Sequence, residues 1–215
     1  MDNMSLYLTI ALAPLVGSLL AGLFGKQIGR AGAHSVTILS VAVSTVLSAY
    51  VLWGFIDGSR SKFDENVYTW LTMGGLDFSV GFLVDSLTAM MMVVVTSVSL
   101  MVHIYTIGYM HDEETGYQRF FSYISLFTFS MLMLVMSNNF VQLFFGWEAV
   151  GLVSYLLIGF YFKRESAIFA NLKAFLVNRV GDFGFLLGIG LVLAYFGGSL
   201  RYADVFAYLP NVQHA

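Results

Sequence analysis

Cysteine is missing altogether from the 215 residues, and charged side chains make up only 11% of them. Without a thiol the chain can form no disulfide and can supply no thiolate ligand to zinc or to an iron–sulfur cluster. Ten Lys and Arg, scattered and outweighed by 13 Asp and Glu, leave no basic face for a nucleic acid. No glycine-rich phosphate loop, no Ser/His/Asp set and no metal-spaced histidine cluster is present, so the catalytic signatures of soluble enzymes are lacking. Before the first apolar run there is no Lys or Arg, and that run is long enough to remain as a span, so no cleavable leader is expected. What fills the chain instead is apolar: 58% hydrophobic residues and a mean hydropathy of +0.79 mark an integral membrane protein.

The apolar runs predict about six membrane-spanning helices, over residues 6–24, 36–56, 82–108, 120–136, 139–162 and 167–196. A short basic loop, KQIGRAGAH, is expected between the first two. The longest polar connection, 57–80, carries Gly74-Gly75 between two short strand-like pieces, Val67–Met73 and Leu76–Val80, and reads as a small surface hairpin. The sixth run is too long for one simple span, and Gly197-Gly198 ends it before a polar-to-mixed tail. With the N-terminus outside, the inner loops hold Lys26, Arg30, Arg119, Lys163 and Arg164, and the outer ones Arg60, Lys62 and Arg201. That asymmetry favours an outside N-terminus.

Inside these runs a few ionisable groups stand out. Glu148 lies nine residues in from Asn139, roughly 14 Å along a helix axis and so near the middle of a bilayer core of about 30 Å. A carboxylate there is protonated, paired or wetted, and each of those states suits a proton relay; packing against a neighbouring helix is the plainer use. Residues 171–185, NLKAFLVNRVGDFGF, add Lys173, Arg179 and Asp182. Arg179 and Asp182 are three apart and can pair on one face, whereas Lys173 and Asp182, nine apart, point in opposite directions. Asp182 can therefore serve a structural ion pair or transport, and Lys173 can snorkel to the interface. Gly181, Gly184, Gly188 and Gly190 allow close helix approach or a local break. His103 reads first as an interfacial histidine and second as a proton carrier, Asp85 as a helix N-terminal carboxylate, and the methionine runs as packing or lipid-facing side chains.

The blocks FFGWEAVGLVSYLLIGFYF (144–162) and LKAFLVNRVGDFGFLLGIG (172–190) resemble the antiporter-like large subunit of proton-pumping NADH:quinone oxidoreductase, respiratory complex I. The segments FLVDSLTAMMM, HIYTIGYM and YQRFFSYISLF are similar in the same order. The resemblance implies an all-α membrane fold, with part of an antiporter-like inverted repeat. Residues 1–110 would be an N-terminal set of three helices with the outer hairpin, 111–198 the first part of the antiporter-like module, and 199–215 a tail. Glu148 matches the family's mid-membrane glutamate, and Asp182, Arg179 and Lys173 its charged sixth helix. Family glutamates of this kind work against a lysine on a seventh helix, and no Lys follows Lys173 here. Either a second chain supplying the remaining helices is therefore expected, or the 215 residues are the N-terminal part of a longer subunit. The resemblance also implies neighbouring complex I membrane subunits as partners, the adjacent antiporter-like one above all, with lipid around them. It further implies a bacterial cytoplasmic membrane, and FMN and iron–sulfur clusters held by other subunits rather than by this chain. A component of a multisubunit Na+/H+ antiporter and a non-conducting scaffold are the competing functions.

Overall fold

The computed structural model describes residues 2–74, 76–113 and 115–212. Helices α1 (Asn3–Leu23) and α2 (Gly25–Ile56) lead into a hairpin of β1 (Phe63–Met73) and β2 (Leu76–Val84). Then follow α3 (Ser86–Tyr109), α4 (Tyr117–Val135), α5 (Phe140–Ile158) with a closing 3-10 turn Gly159–Tyr161, α6 (Glu165–Tyr195) and α7 (Tyr202–Val212). Six of these helices, α1 to α6, are long and apolar enough to cross a membrane. In lipid the hydrophobic effect gives apolar helices little reason to associate, so packing and interhelical hydrogen bonds must hold them together.

The way α1 is held shows this. Pro14 has no backbone N–H, so the carbonyl of Ile10, four residues earlier, loses its intrahelical partner. Ser44 of α2 donates its hydroxyl to that carbonyl at 2.8 Å, and Ser125 of α4 donates to the carbonyl of Pro14 at 2.7 Å. One turn on, Ser18 donates to the carbonyl of Ser122, and Ser122 returns a bond to the carbonyl of Ser18, both at 2.8 Å. Neutral hydroxyls thus tie α1 to both neighbours. From there α3 packs on α2, α5 on α4 and α6 on α5.

Three sequence expectations change, and the tail gains an element. The basic stretch 26–34 is helical rather than a loop; the single break is at Gly29, whose φ of 70° a residue with a side chain adopts only at a cost. Arg30, brought inward by that turn, donates to the carbonyls of Met110 and His111 at the end of α3, at 2.9 and 2.7 Å. Helix α3 starts at Ser86 and not at residue 82, because Phe82–Val84 pair with β1 and Asp85 then caps the helix, accepting from Thr88 N at 2.8 Å. Helix α6 runs unbroken through its glycines, and a Cβ at Gly181, Gly184, Gly188 or Gly190 would meet nothing within 4 Å. The polar-to-mixed tail, with no element read from the sequence, contains α7.

The hairpin is present and longer than predicted, with Gly75 of its predicted turn lying outside the described residues. It is sewn to the α4–α5 turn by amides: Gln142 accepts from Gly81 N at 2.8 Å, and Asn139 donates to the carbonyl of Ser79 at 3.0 Å. Asn138 donates to Asn66 at 2.9 Å. The side-chain oxygen of Asn139 also caps α5 by accepting from Gln142 N at 2.8 Å. These contacts fix the start of α5, and so the height of every residue along it.

Candidate functional site

Helix α5 uses two opposite faces. A Cβ at Gly146 would fall 2.7 Å from the Cα of Leu134, so only glycine lets α5 close on α4 this tightly. Two residues later, about 200° round the helix, Glu148 faces α6. The antiparallel α5–α6 seam is zipped by aromatic pairs, Phe144 with Phe185 (ring centroids 5.7 Å apart) and Tyr155 with Phe175 (5.3 Å). Between those pairs lie all the charges of the seam.

Glu148 is the ninth residue of the 19-residue α5, at mid-helix. Its Oε2 accepts from Nη1 of Arg179 on α6. The same Nη1 stands 3.4 Å from Oδ2 of Asp182, one turn further along α6. The other oxygen of Asp182 accepts from Nε1 of Trp147 at 2.8 Å. Phe175 lies under the guanidinium, its ring centroid 4.8 Å from the central carbon. One cation is therefore shared by two carboxylates, and the two are not equivalent. Asp182 is 7% exposed and has both oxygens engaged, one by Arg179 and one by the indole. The Glu148 side chain is 22% exposed and has Arg179 as its one hydrogen-bond partner among the described residues. Arg179 is itself 37% exposed, and its Nε donor is buried without a partner.

The cluster therefore joins Glu148, Arg179 and Asp182 of the residues singled out in the sequence. Lys173 stays apart: it is exposed, on the far side of α6 from buried Asp182, and makes no ion pair or side-chain hydrogen bond among the described residues. Trp147 was missed as an individual group, although a Trp within an apolar helix needs a partner for its N–H. Arg179 was paired only with its helical neighbour Asp182; its bond to Glu148 depends on how α5 and α6 meet, which spacing along one helix does not contain. His103 departs further from expectation. It is fully buried rather than interfacial, because α4 covers the inner face of α3 and sets Phe121 against its ring, centroids 6.2 Å apart.

Comparison with known proteins gives a consistent set of relatives. Residues 70–121 match the family model described as NADH-ubiquinone oxidoreductase (complex I), chain 5 N-terminus. Residues 137–214 match the one described as NADH:quinone oxidoreductase/Mrp antiporter, TM. The NADH-quinone oxidoreductase subunit L of Neisseria meningitidis serogroup B is 88% identical over the whole chain, which spans 32% of that relative. Subunit L of Rhodobacter capsulatus is 48% identical over 209 residues, 94% of this chain and 29% of its own. NADH-ubiquinone oxidoreductase chain 5 of Neurospora crassa is 43% identical over 210 residues, 96% of this chain and 28% of its own. The chain thus spans about a third of the length of the curated relatives it matches. Among solved structures, a chain of the archaeal membrane-bound sulfane sulfur reductase superposes with a TM-score of 0.75 at 20% identity, over 95% of this chain and 30% of that one. That likeness concerns the fold.

Proposed function

This chain belongs to the antiporter-like membrane subunits of NADH-quinone oxidoreductase, and from that premise we propose that it relays protons across a membrane through Glu148. The observation that carries the reading is the sharing of Arg179 between Glu148 and Asp182. A cation beside a carboxylate favours its ionised form, and its withdrawal favours the protonated one. When Arg179 leans to Glu148, that residue gives up its proton. When Arg179 swings towards Asp182, Glu148 is left without its cation in a low-dielectric seam and takes a proton up. Asp182, held by Trp147 as well, acts as the resting place for the guanidinium. The two acceptors lie on adjoining parts of one seam, so the swing is a change of side-chain torsion rather than of fold.

In the assembled complex we place the chain in the bacterial cytoplasmic membrane beside other membrane subunits, the adjacent antiporter-like subunit among them. A lysine from outside residues 1–215, which the resemblance implies for the family, would act on Glu148 from its open side in the same way as Arg179. Electron transfer, with its FMN and iron–sulfur clusters, belongs to partner subunits in this scheme. Lys173 is at most an accessory to it. The test is Glu148→Gln in the assembled complex in proteoliposomes. NADH oxidation and subunit content should be retained, and proton uptake per NADH should fall sharply. Full pumping by that variant removes Glu148 from the mechanism.

The second matched model also covers Mrp antiporters, so coupling to Na+ is the alternative reading. It predicts that transport depends on sodium and survives without NADH oxidation. A non-conducting scaffold predicts that neutralising Glu148 and Asp182 together leaves pumping intact.

A further inference from the structure

Glu148 is not the one proton-competent group enclosed by these helices. His103 of α3 has no exposed surface. Its Nδ1 lies 2.8 Å from the backbone carbonyl oxygen of Ser99, one turn earlier. A carbonyl only accepts, so Nδ1 must carry the hydrogen, and the tautomer follows. Nε2 is then a bare lone pair, and it is buried with no hydrogen-bond partner. A buried acceptor left unpaired is costly, and nothing in the packing of α3 requires a histidine for the Ser99 bond alone.

The donors on the other side of the ring run in one direction. Thr128 of α4 donates to the carbonyl of Ile124 at 3.0 Å, so its oxygen is free to accept from Ser99, 2.5 Å away. Ser99 Oγ, its own hydrogen spent on Thr128, faces the Nδ1–H of His103 at 3.3 Å as an acceptor. Ser99 and Thr128 also form the polar part of the wall of an otherwise apolar groove of about 480 Å³ between α3 and α4. Across Phe121 sits His34 of α2, ring centroids 6.0 Å apart, with its Nδ1 2.9 Å from the hydroxyl of Tyr117 on α4. The Arg30 guanidinium covers the Tyr117 ring at 4.3 Å. The titratable and charged groups near His103 are therefore His34 and Arg30 from α2 and Tyr117 from α4, and no Asp or Glu occurs in α2, α3 or α4.

We propose that His103 is a transient proton-binding site: Nε2 takes up a proton from the His34–Tyr117 side, and the Nδ1 proton is relayed to Ser99 and Thr128. The balance is one proton in and one out. The arriving proton forms an imidazolium, its Nδ1 hydrogen passes to Ser99 Oγ, the Ser99 hydrogen to Thr128 and the Thr128 hydrogen to a water at the groove. The ring is left as the Nε2–H tautomer, with Nδ1 bare beside the Ser99 carbonyl, and it regains its starting form once Nε2 has released its hydrogen and Nδ1 has been reprotonated through Ser99. With no carboxylate in the bundle to hold it charged, and Arg30 nearby to repel it, the imidazolium is short-lived. That suits a relay stop, in contrast to Glu148, which has the Arg179 cation within reach. The part in pumping rests on the proton-translocation reading; proton binding by the ring does not.

The test uses the intact complex, labelled with 15N-histidine, in lipid. The His103 resonances are assigned by their loss in His103→Asn, whose side-chain amide can keep the bond to the Ser99 carbonyl but offers no basic nitrogen. His103→Gln serves as a second variant should the first fail to assemble. A ring that is Nδ1-protonated at alkaline pH and doubly protonated as pH falls is expected, with NADH oxidation retained and pumping lowered by about tenfold in the variant. A ring that stays neutral at every pH overturns the proposal, as does full pumping by an assembled variant. If Glu148→Gln also pumps fully, the translocation reading has failed, and the titration of His103 is read separately.

Discussion

Two parts of the molecule face the same difficulty, polar atoms among apolar helices, and they resolve it in opposite ways. In the α1–α4 bundle the helices are tied by neutral hydroxyls that find backbone partners, with the Nε2 of His103 and the hydroxyl of Ser48 as buried exceptions. Ser44, Ser125 and the Ser18–Ser122 pair each answer a backbone carbonyl, two of them on either side of the gap left by Pro14. In the α5–α6 seam the groups are charged, unequal in number and incompletely satisfied: one guanidinium serves two carboxylates and leaves its own Nε without a partner. Hydroxyls on carbonyls have one good arrangement and cost little desolvation, so they serve where the structure should stay still. A shared cation has two acceptors within its reach. It tolerates motion, and motion of charge is what a proton relay needs.

The sharpest way to break that contrast is to remove the shared cation. Arg179→Leu leaves Glu148 and Asp182 facing each other with no compensating charge, and proton pumping by the assembled complex should fall on the order of 100-fold. The comparison is with Arg179→Lys, which keeps the charge and should retain part of the activity. A much smaller effect is expected in the bundle. Ser44→Ala orphans the Ile10 carbonyl and should lower stability to thermal unfolding in detergent by about 1 kcal/mol, with pumping by the folded complex unchanged. Pumping that collapses in Ser44→Ala would mean that the serine ties of α1 do more than hold that helix in place. The smallest effect belongs to Lys173. Because it lies outside the cluster, Lys173→Gln should leave pumping within about twofold of the parent, the scale of an exposed charge.

The reach of sequence reasoning differs between the same two parts. Spans could be read because an uncharged apolar run of about 20 residues matches the thickness of a bilayer and little else, and the hairpin because Gly74-Gly75 interrupts two alternating segments. Ends were harder. Phe82–Val84 are as apolar as the span that follows, so only their pairing with β1 separates strand from helix. Residues 26–34 look like a loop by charge and glycine content, yet one glycine at φ 70° is enough to turn the chain and let helix resume. Helix α7 lay hidden behind Gly197-Gly198. In the site, Glu148, Arg179 and Asp182 were each visible as charges where charge is expensive. Their partnership was not, because periodicity relates residues within a helix and says nothing of which helix lies opposite. His103 was placed at the interface for the same reason: its burial comes from α4, which its own helix does not announce.

The most direct measurement is infrared difference spectroscopy of the intact complex during turnover, compared with Glu148→Gln. If Glu148 carries the proton, a carboxyl band that appears and disappears with turnover in the parent should be absent in the variant, while carboxylate signals from Asp182 persist. A carboxyl band unchanged by Glu148→Gln would contradict the account, since the travelling proton would then reside elsewhere.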